Sequence, residues 1–325
     1  MINACIIGSG HGKHIHEKAL SLIRDCKVKI YNKQLDSKLN LKNISNNNTD
    51  FIIIASPTYT HTSLIKKIII KEIPFICEKP AGLSIAELVQ IKKIIIKSCL
   101  KNCFAYQFRY DPWLKKVKNI LDNQLIGVIS QVHITWNTKR SINIDAKSWK
   151  NKSSMGGGII WNYIPHIIDY LSWTINSKKE LLKNLKINSD NKNDFMKRIN
   201  FSMIISNVIV KVQVSNNEKN NFGHKILFKG SNGTIKLNWA FPYKTKNSEL
   251  ELQTNKLRKI KVLKKKQEIF SNHDNRLLPT YLMLKDFIKL IKNSGSKNKL
   301  ANIDDAIFVH KNLKKINRKV SGERN

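Results

Sequence analysis

The segment that most constrains this chain is Gly8-Ser9-Gly10-His11-Gly12. It lies between an apolar run at residues 2–7 (Ile-Asn-Ala-Cys-Ile-Ile) and a stretch with helical spacing through Ile15, Ala19, Leu22 and Ile23. A strand that feeds a helix through glycines predicts a βα turn. In such a turn the first glycine makes the bend and the second lets bare backbone approach a pyrophosphate. The start of the helix adds free N–H groups and a partial positive charge for the anion. Gly8, Ser9, Gly10, His11 and Gly12 are therefore candidate dinucleotide contacts. A third glycine, for close helix–strand packing, would fall at position 13, which is Lys13. Either Gly12 relieves the crowding or Lys13 turns outward.

The pattern that follows repeats this unit. Val28, Ile30 and Tyr31 predict a second strand, Phe51 to Ala55 a third, Phe75 to Cys77 a fourth and Cys103 to Tyr106 a fifth. Helical spacing lies between them at 64–70 and 84–96, the latter with Ser84 as cap and Glu87 three residues on. Strands alternating with helices predict a doubly wound parallel sheet. After about residue 108 the pattern changes. Residues 128–136, 199–206 and 208–214 alternate apolar and polar, and Gly230-Ser231-Asn232-Gly233 reads as a hairpin turn. Successive strands with little helix between them predict an open, largely antiparallel sheet. Helices are expected at about 159–174, 279–293 and 303–317, and a solvated loop at 293–299. The expected division is residues 1–108 and 109–325, two domains being natural for a length of 325. The apolar residues between Ile199 and Val214 outnumber what one helix layer would cover, which predicts a homodimer or homotetramer.

Composition bounds the class. The chain is 41% apolar and 25% charged, as expected of a folded globular protein. The longest apolar run, Phe51 to Ala55, is far short of the roughly 20 residues of a membrane span, so no membrane is expected and the expected compartment is the cytoplasm. Fifty-eight Lys+Arg against 23 Asp+Glu give a net charge of +35. A nucleic-acid footprint is normally a localised patch. Here the lysines run along the whole chain, as in Lys66-Lys67-Ile68-Ile69-Ile70, which reads as compositional drift, with no specific nucleic-acid partner. Five cysteines, none in a Cys-x-x-Cys pair, make neither a disulfide framework nor a zinc site.

Three further clusters can carry chemistry. An acidic residue about 20 positions after the first glycines would bind the 2′-hydroxyl of NAD and repel the 2′-phosphate of NADP. The chain has Asn32-Lys33 there and no carboxylate before Asp36, which leans towards NADP. Glu78-Lys79-Pro80-Ala81-Gly82 follows the fourth strand, at the sheet edge where ligands of open α/β folds bind. A lysine there can donate to a substrate oxygen. Last comes Gly156-Gly157-Gly158 followed by Asn162, His166 and Asp169, spaced i, i+4, i+7 on one helical face. Pro165 fits best in a first turn, so the regular helix is expected to start near 164. A histidine beside Asn and Asp is a candidate acid/base.

Together these motifs resemble the Gfo/Idh/MocA family of NAD(P)-dependent oxidoreductases over nearly the whole chain. The resemblance rests on Gly8-Ser9-Gly10 with His16, Ala55-Ser56-Pro57-Thr58 with His61, and Glu78-Lys79-Pro80-Ala81-Gly82. It continues through Phe108-Arg109-Tyr110-Asp111-Pro112 and Gly156-Gly157-Gly158 with His166 and Asp169. It implies a Rossmann domain followed by an α+β domain. It also implies Lys79 and His166 as catalytic residues, with Ala55, Ser56, Pro57, His61, Glu78 and Lys79 near the cofactor and Arg109, Trp161, Asn162 and Asp169 near a small-molecule substrate. Family members often carry Asp four residues before the histidine. This chain has Asn162, which leaves Asp169 as the carboxylate that would assist His166. The substrate class implied is a sugar, cyclitol or nucleotide sugar. A non-catalytic dinucleotide-binding regulator of the same fold is the alternative.

Overall fold

The computed structural model describes residues 1–8, 10, 12–31, 41, 44–138, 148–177, 182–190, 197–218, 222–239, 248–255, 260–262, 274–292 and 300–322. They form two compact units. The first holds Met1–Gln107, Ser154–Gly156 and Leu277–His310, and the second holds Phe108–Ser153, Gly157–Arg276 and Lys311–Asn325.

The first unit is built on a five-stranded parallel sheet. Its strands are β1 (Ile2–Ile7), β2 (Cys26–Tyr31), β3 (Phe51–Ile54), β4 (Phe75–Cys77) and β5 (Asn102–Phe104), in the order β2-β1-β3-β4-β5. Every residue of β3 and β4 is buried, as continuous apolar runs require in a sheet covered on both faces. The first crossover is a π-helical segment, Gly12–Glu17, running into the short helix α1 (Lys18–Ser21). Helices α2 (His61–Ile70) and α3 (Ile85–Ser98) supply later crossovers. Ser84 caps α3 as expected, its Oγ accepting from Glu87 N at 3.4 Å. The Glu87 carboxylate accepts instead from Thr62 Oγ1 at 3.2 Å. The strand order turns back between β1 and β3, so the carboxyl ends of these strands form a switch point, where the chain diverges to either side.

The C-terminal helix α6 (Leu277–Lys292) also belongs to this unit, although the sequence places residues 109–325 together. Packing explains the return. Phe287 meets the core ring of Phe51 edge-on at 5.5 Å. Ala301 O then accepts from Phe104 N at 2.9 Å. Residues 303–310 of α7 (Ile303–Ser321) continue in the first unit, where Lys92 Nζ pairs with Asp304 at 2.6 Å.

The second unit carries α4 (Pro112–Asp122), β6 (Ile129–Asn137), α5 (Gly158–Thr174) and seven more strands. These are β7 (Lys183–Ser189), β8 (Arg198–Ile205), β9 (Val208–Ser215), β10 (Gly223–Gly230), β11 (Gly233–Trp239), β12 (Glu249–Thr254) and β13 (Ile260–Val262). Their order is β13-β12-β11-β10-β6-β9-β8-β7, and every pairing is antiparallel except β6–β9. The β10–β11 hairpin closes at Gly230↔Gly233, leaving Ser231-Asn232 as its loop. Ile199, Phe201, Met203, Ile205, Val208, Val210, Val212 and Val214 are all buried, on the sheet face that meets α5. Ile209 of the same stretch faces the other way and is exposed.

Helix α5 corrects a second expectation. It starts at Gly158 rather than near 164, and Pro165 lies inside it. Proline deprives the Trp161 carbonyl of its donor, a defect of about 3 kcal/mol in an exposed helix. Ile159, Ile160 and Trp161, all buried, hold the first two turns in place against it. Among the described residues no helix is long and apolar enough to cross a membrane.

Candidate active site

The first unit presents its candidate site at the carboxyl ends of β1, β3 and β4. Gly8 follows β1 with φ +128°, and a Cβ there would lie 2.3 Å from Ala55 O. Only glycine lets the ends of β1 and β3 approach so closely. Gly10 differs: among the described residues, no atom beyond its chain neighbours lies within 4 Å of where its Cβ would stand. Packing does not demand a glycine there, and bare backbone faces outward at the switch point. That fits the approach of a pyrophosphate. Lys13 is exposed, which settles how a non-glycine residue is tolerated. Ser9, His11, Asn32 and Lys33 lie outside the described residues, and Gly12 opens the π-helical segment.

The turns after β3 and β4 are joined by side chains. Thr60 Oγ1 donates to Pro57 O at 2.7 Å, so Ser56 Oγ donates to Thr60 Oγ1 at 2.6 Å. His61, 1% exposed, sets Nε2 at 2.9 Å from Ser56 O and Nδ1 at 2.8 Å from Pro80 O. Burial lowers its pKa against the pull of these carbonyls, and the neutral ring has one N–H, which donates to one of the two carbonyls at a time. His61 thus ties the Ser56 turn to the Lys79–Pro80 turn, and neither ring nitrogen remains for a cofactor. Glu78 is also a brace: His16 Nε2 donates to its Oε1 at 2.7 Å, and Lys79 N donates to its Oε2 at 3.1 Å. Lys79 itself is half-buried beside these fixed groups.

In the second unit, α5 carries Trp161, Asn162, His166 and Asp169. His166 stacks flat on Phe108, ring centroids 4.1 Å apart and 7° from parallel, with Trp136 at 6.1 Å. An aromatic floor fixes the imidazole plane, and its Nδ1 is buried. Asp169 lies three residues on along α5. Its fully buried carboxylate accepts from Arg109 Nε at 3.0 and 3.1 Å and from Nη2 at 2.5 Å. A bidentate pair of this kind positions the guanidinium. Asp169 is therefore a support for Arg109. Trp161 is likewise buried and donates from Nε1 to Ser153 Oγ at 3.2 Å. Asn162 is half-buried one turn before His166 on the same helical face.

Sequence reasoning passed over two groups here. Asp111 caps α4, accepting from Trp113 N at 2.8 Å and Leu114 N at 3.1 Å, while its Oδ2 accepts from Trp239 Nε1 at 3.2 Å. Burial pushes its pKa up to about 6. An aspartate before proline at a helix start is the signal that marks it. His224 is fully buried, stacked on Trp136 at 4.3 Å, with Tyr170 OH hydrogen-bonded to its Nε2 at 3.0 Å. Burial lowers its pKa to about 3, so it stays neutral. Nothing in its strand pattern marks it.

Parallel sheet, switch-point glycines and the second, mixed sheet define a dinucleotide-binding α/β protein with an appended sheet domain. The chain belongs to the Gfo/Idh/MocA family: residues 3–104 match the oxidoreductase family's NAD-binding Rossmann fold, and residues 114–236 match the GFO/IDH/MocA C-terminal domain. It is 24% identical over 202 residues to the uncharacterized oxidoreductase sll0816 of Synechocystis, a match covering 57% of this chain and 54% of that protein. The chain thus spans about half the length of that relative. Two solved structures share the fold nearly end to end. Aldose-aldose oxidoreductase from Caulobacter crescentus, complexed with glycerol, has a TM-score of 0.76 at 12% identity, covering 99% of this chain and 98% of that one. The transcriptional regulator Gal80p from Kluyveromyces lactis has a TM-score of 0.78 at 15% identity, covering 99% and 90%.

Proposed function

We propose that this chain is an NAD(P)-dependent dehydrogenase or reductase acting on a hydroxyl or keto carbon of a sugar, cyclitol or nucleotide sugar. The observation that carries it is the switch-point edge. Gly10 leaves backbone bare there, and Lys79 follows the neighbouring strand β4 on turns braced by Glu78 and His61. When bound, the nicotinamide ring supplies or accepts the hydride. Lys79 donates from Nζ to the substrate oxygen and stabilises its developing charge. His166 takes the hydroxyl proton in the oxidative direction and returns it in the reductive one. Its buried Nδ1 leaves Nε2 as the atom assigned that proton. Asn162 orients the substrate by its amide, and Arg109, held by Asp169, binds a substrate oxygen or phosphate. The sugar class is supported by the resemblance and by the aldose-aldose oxidoreductase of Caulobacter that shares the fold.

The absent carboxylate at Asn32-Lys33 favours NADP. Calorimetric titration with both cofactors tests this, and a tenfold preference for NAD, about 1.4 kcal/mol, would overturn it. Likeness to Gal80p supports the second reading, a non-catalytic regulator. Turnover followed at the nicotinamide absorbance across a panel of sugars, cyclitols and nucleotide sugars separates the two. Cofactor binding without turnover of any member favours the regulator.

A further inference from the structure

The chain passes through a tight 3-10 turn at Gln107–Tyr110 and then into Asp111 and α4. Phe108, Arg109 and Asp111 reach three different partners in the second unit. Phe108 lies flat on His166, Arg109 grips Asp169, and Asp111 accepts from Trp239. The first two partners are on α5 and the third ends β11. Strand register sets Trp136, His224 and Trp239 side by side across β6, β10 and β11, on the face that carries the buried valines. Their rings pack in that order, Trp136 on His224 at 4.3 Å and His224 on Trp239 at 5.0 Å. Cross-strand ring contacts of this kind fix side chains on a sheet. Phe108, 1% exposed, is wedged between this row and α5. Trp239 meets its ring edge-on at 4.9 Å and 74°, while His166 covers it at 4.1 Å and 7°.

Burying the Asp111 charge is costly, and its bonds show what the second oxygen is for. Oδ1 accepts from Trp113 N and Leu114 N, which caps α4, and Oδ2 accepts from Trp239 Nε1. The cap alone needs no carboxylate, since asparagine caps helices as well. Asparagine has one acceptor oxygen and an NH2 group, so it would set donor against donor at one of the two places. Only a carboxylate serves both. Its bond to the indole is charge-assisted and holds the tilt of Trp239. Trp239 in turn limits the tilt of Phe108, and Phe108 sets the plane of the imidazole. We propose that Asp111 and Trp239 are positioning residues for His166, acting through the ring of Phe108. The consequence for turnover rests on the reading of His166 as the acid/base; the control of its ring does not. An imidazole free to tilt loses the line from Nε2 to the substrate hydroxyl, and about 1 Å of misplacement costs on the order of 10²-fold in rate.

NMR of the full chain, isotope-labelled at histidine Cε1, tests the proposal without a ligand. The His166 signal is assigned by its loss in His166→Gln, and stacking on Phe108 shields it. Phe108→Leu removes that shielding and marks the displaced position. Trp239→Phe keeps a ring but loses the N–H, and Asp111→Asn loses one of the two acceptors. Each should move the His166 signal towards the displaced position. On a substrate found by the panel, each should lower kcat about tenfold with KM and NAD(P) affinity within a few-fold. Val210→Ala, a buried change on β9 opposite Val132, should lower the melting temperature and leave signal and kcat as they are. Altered melting with an unmoved His166 signal in the Asp111 and Trp239 variants would overturn the proposal, leaving both as structural residues. Asp111→Asn decides alone if Trp239→Phe does not fold. A signal that moves, beside near-normal kcat in His166→Ala, upholds the positioning and overturns the acid/base reading.

Discussion

At the scale of single residues, several candidate contacts prove to be braces. His61 and Glu78 hold Lys79's turn, and Asp169 holds Arg109. The motifs made these positions visible, but their partners are distant in sequence: Arg109 precedes Asp169 by 60 residues. Periodicity shows which face a side chain shares and not which charge it meets. If His61 is a clamp, His61→Phe, of similar size, removes the one N–H available to the Ser56 and Pro80 carbonyls, at a cost of about 1–3 kcal/mol. The expected result is a lower melting temperature together with weaker NAD(P) binding, read by thermal denaturation and calorimetry. Unchanged cofactor affinity in a folded variant would free His61 from this role. Asp111 gives a pH signature. Its folded pKa of about 6 lies above the unfolded value near 4, so its contribution is fully present below pH 4 and lost as pH rises through 6. Relative to wild type, Asp111→Asn should gain up to about 3 kcal/mol between pH 4 and 7, measured by urea unfolding at each pH. A relative loss over that window would contradict the burial account.

At the scale of elements, β3 and β4 were legible because burial on both faces leaves unbroken apolar runs, and the edge strand β2 from its alternation. The β10–β11 turn was legible from its glycines. Helix α5 was legible in its span, expected at about 159–174, but not in its regularity, because local propensity puts Pro165 in a first turn while burial carries the helix from Gly158. The turn after β1 offers a paired test. Gly8→Ala puts a Cβ 2.3 Å from the Ala55 carbonyl at φ +128°, where neither backbone can yield, and should destabilise by about 2 kcal/mol or more. Gly10→Ala meets no atom of the described residues beyond its chain neighbours and should alter stability by less than about 0.5 kcal/mol. It should nevertheless raise the NAD(P) dissociation constant at least about tenfold, because the added methyl stands where the pyrophosphate approaches. Denaturation and titration of both variants check this, and normal cofactor affinity in Gly10→Ala would remove the phosphate role from the turn.

At the scale of the whole molecule, the change from alternating β and α to successive strands marked where the first unit gives way to the second. The return of α6 to the first unit was hidden, since an amphipathic helix does not state which sheet it covers. Phe287 against Phe51 and Ala301 against Phe104 supply that information only in three dimensions. A fragment of residues 1–108 lacks both contacts. It should unfold at a lower temperature than the full chain by circular dichroism, and equal stability would show that α6 is dispensable. The central claim concerns chemistry, and one measurement addresses it most directly: kcat of folded Lys79→Ala and His166→Ala variants, beside their cofactor affinities, on whichever substrate the panel identifies. Positioned acid–base groups contribute about 10²–10⁴-fold. Each variant should therefore lose at least about 10²-fold in kcat while binding NAD(P) within a few-fold of wild type, with Asn162→Ala losing less. Near-normal kcat in a folded His166→Ala protein would contradict the account, leaving that ring as a packed companion of Phe108.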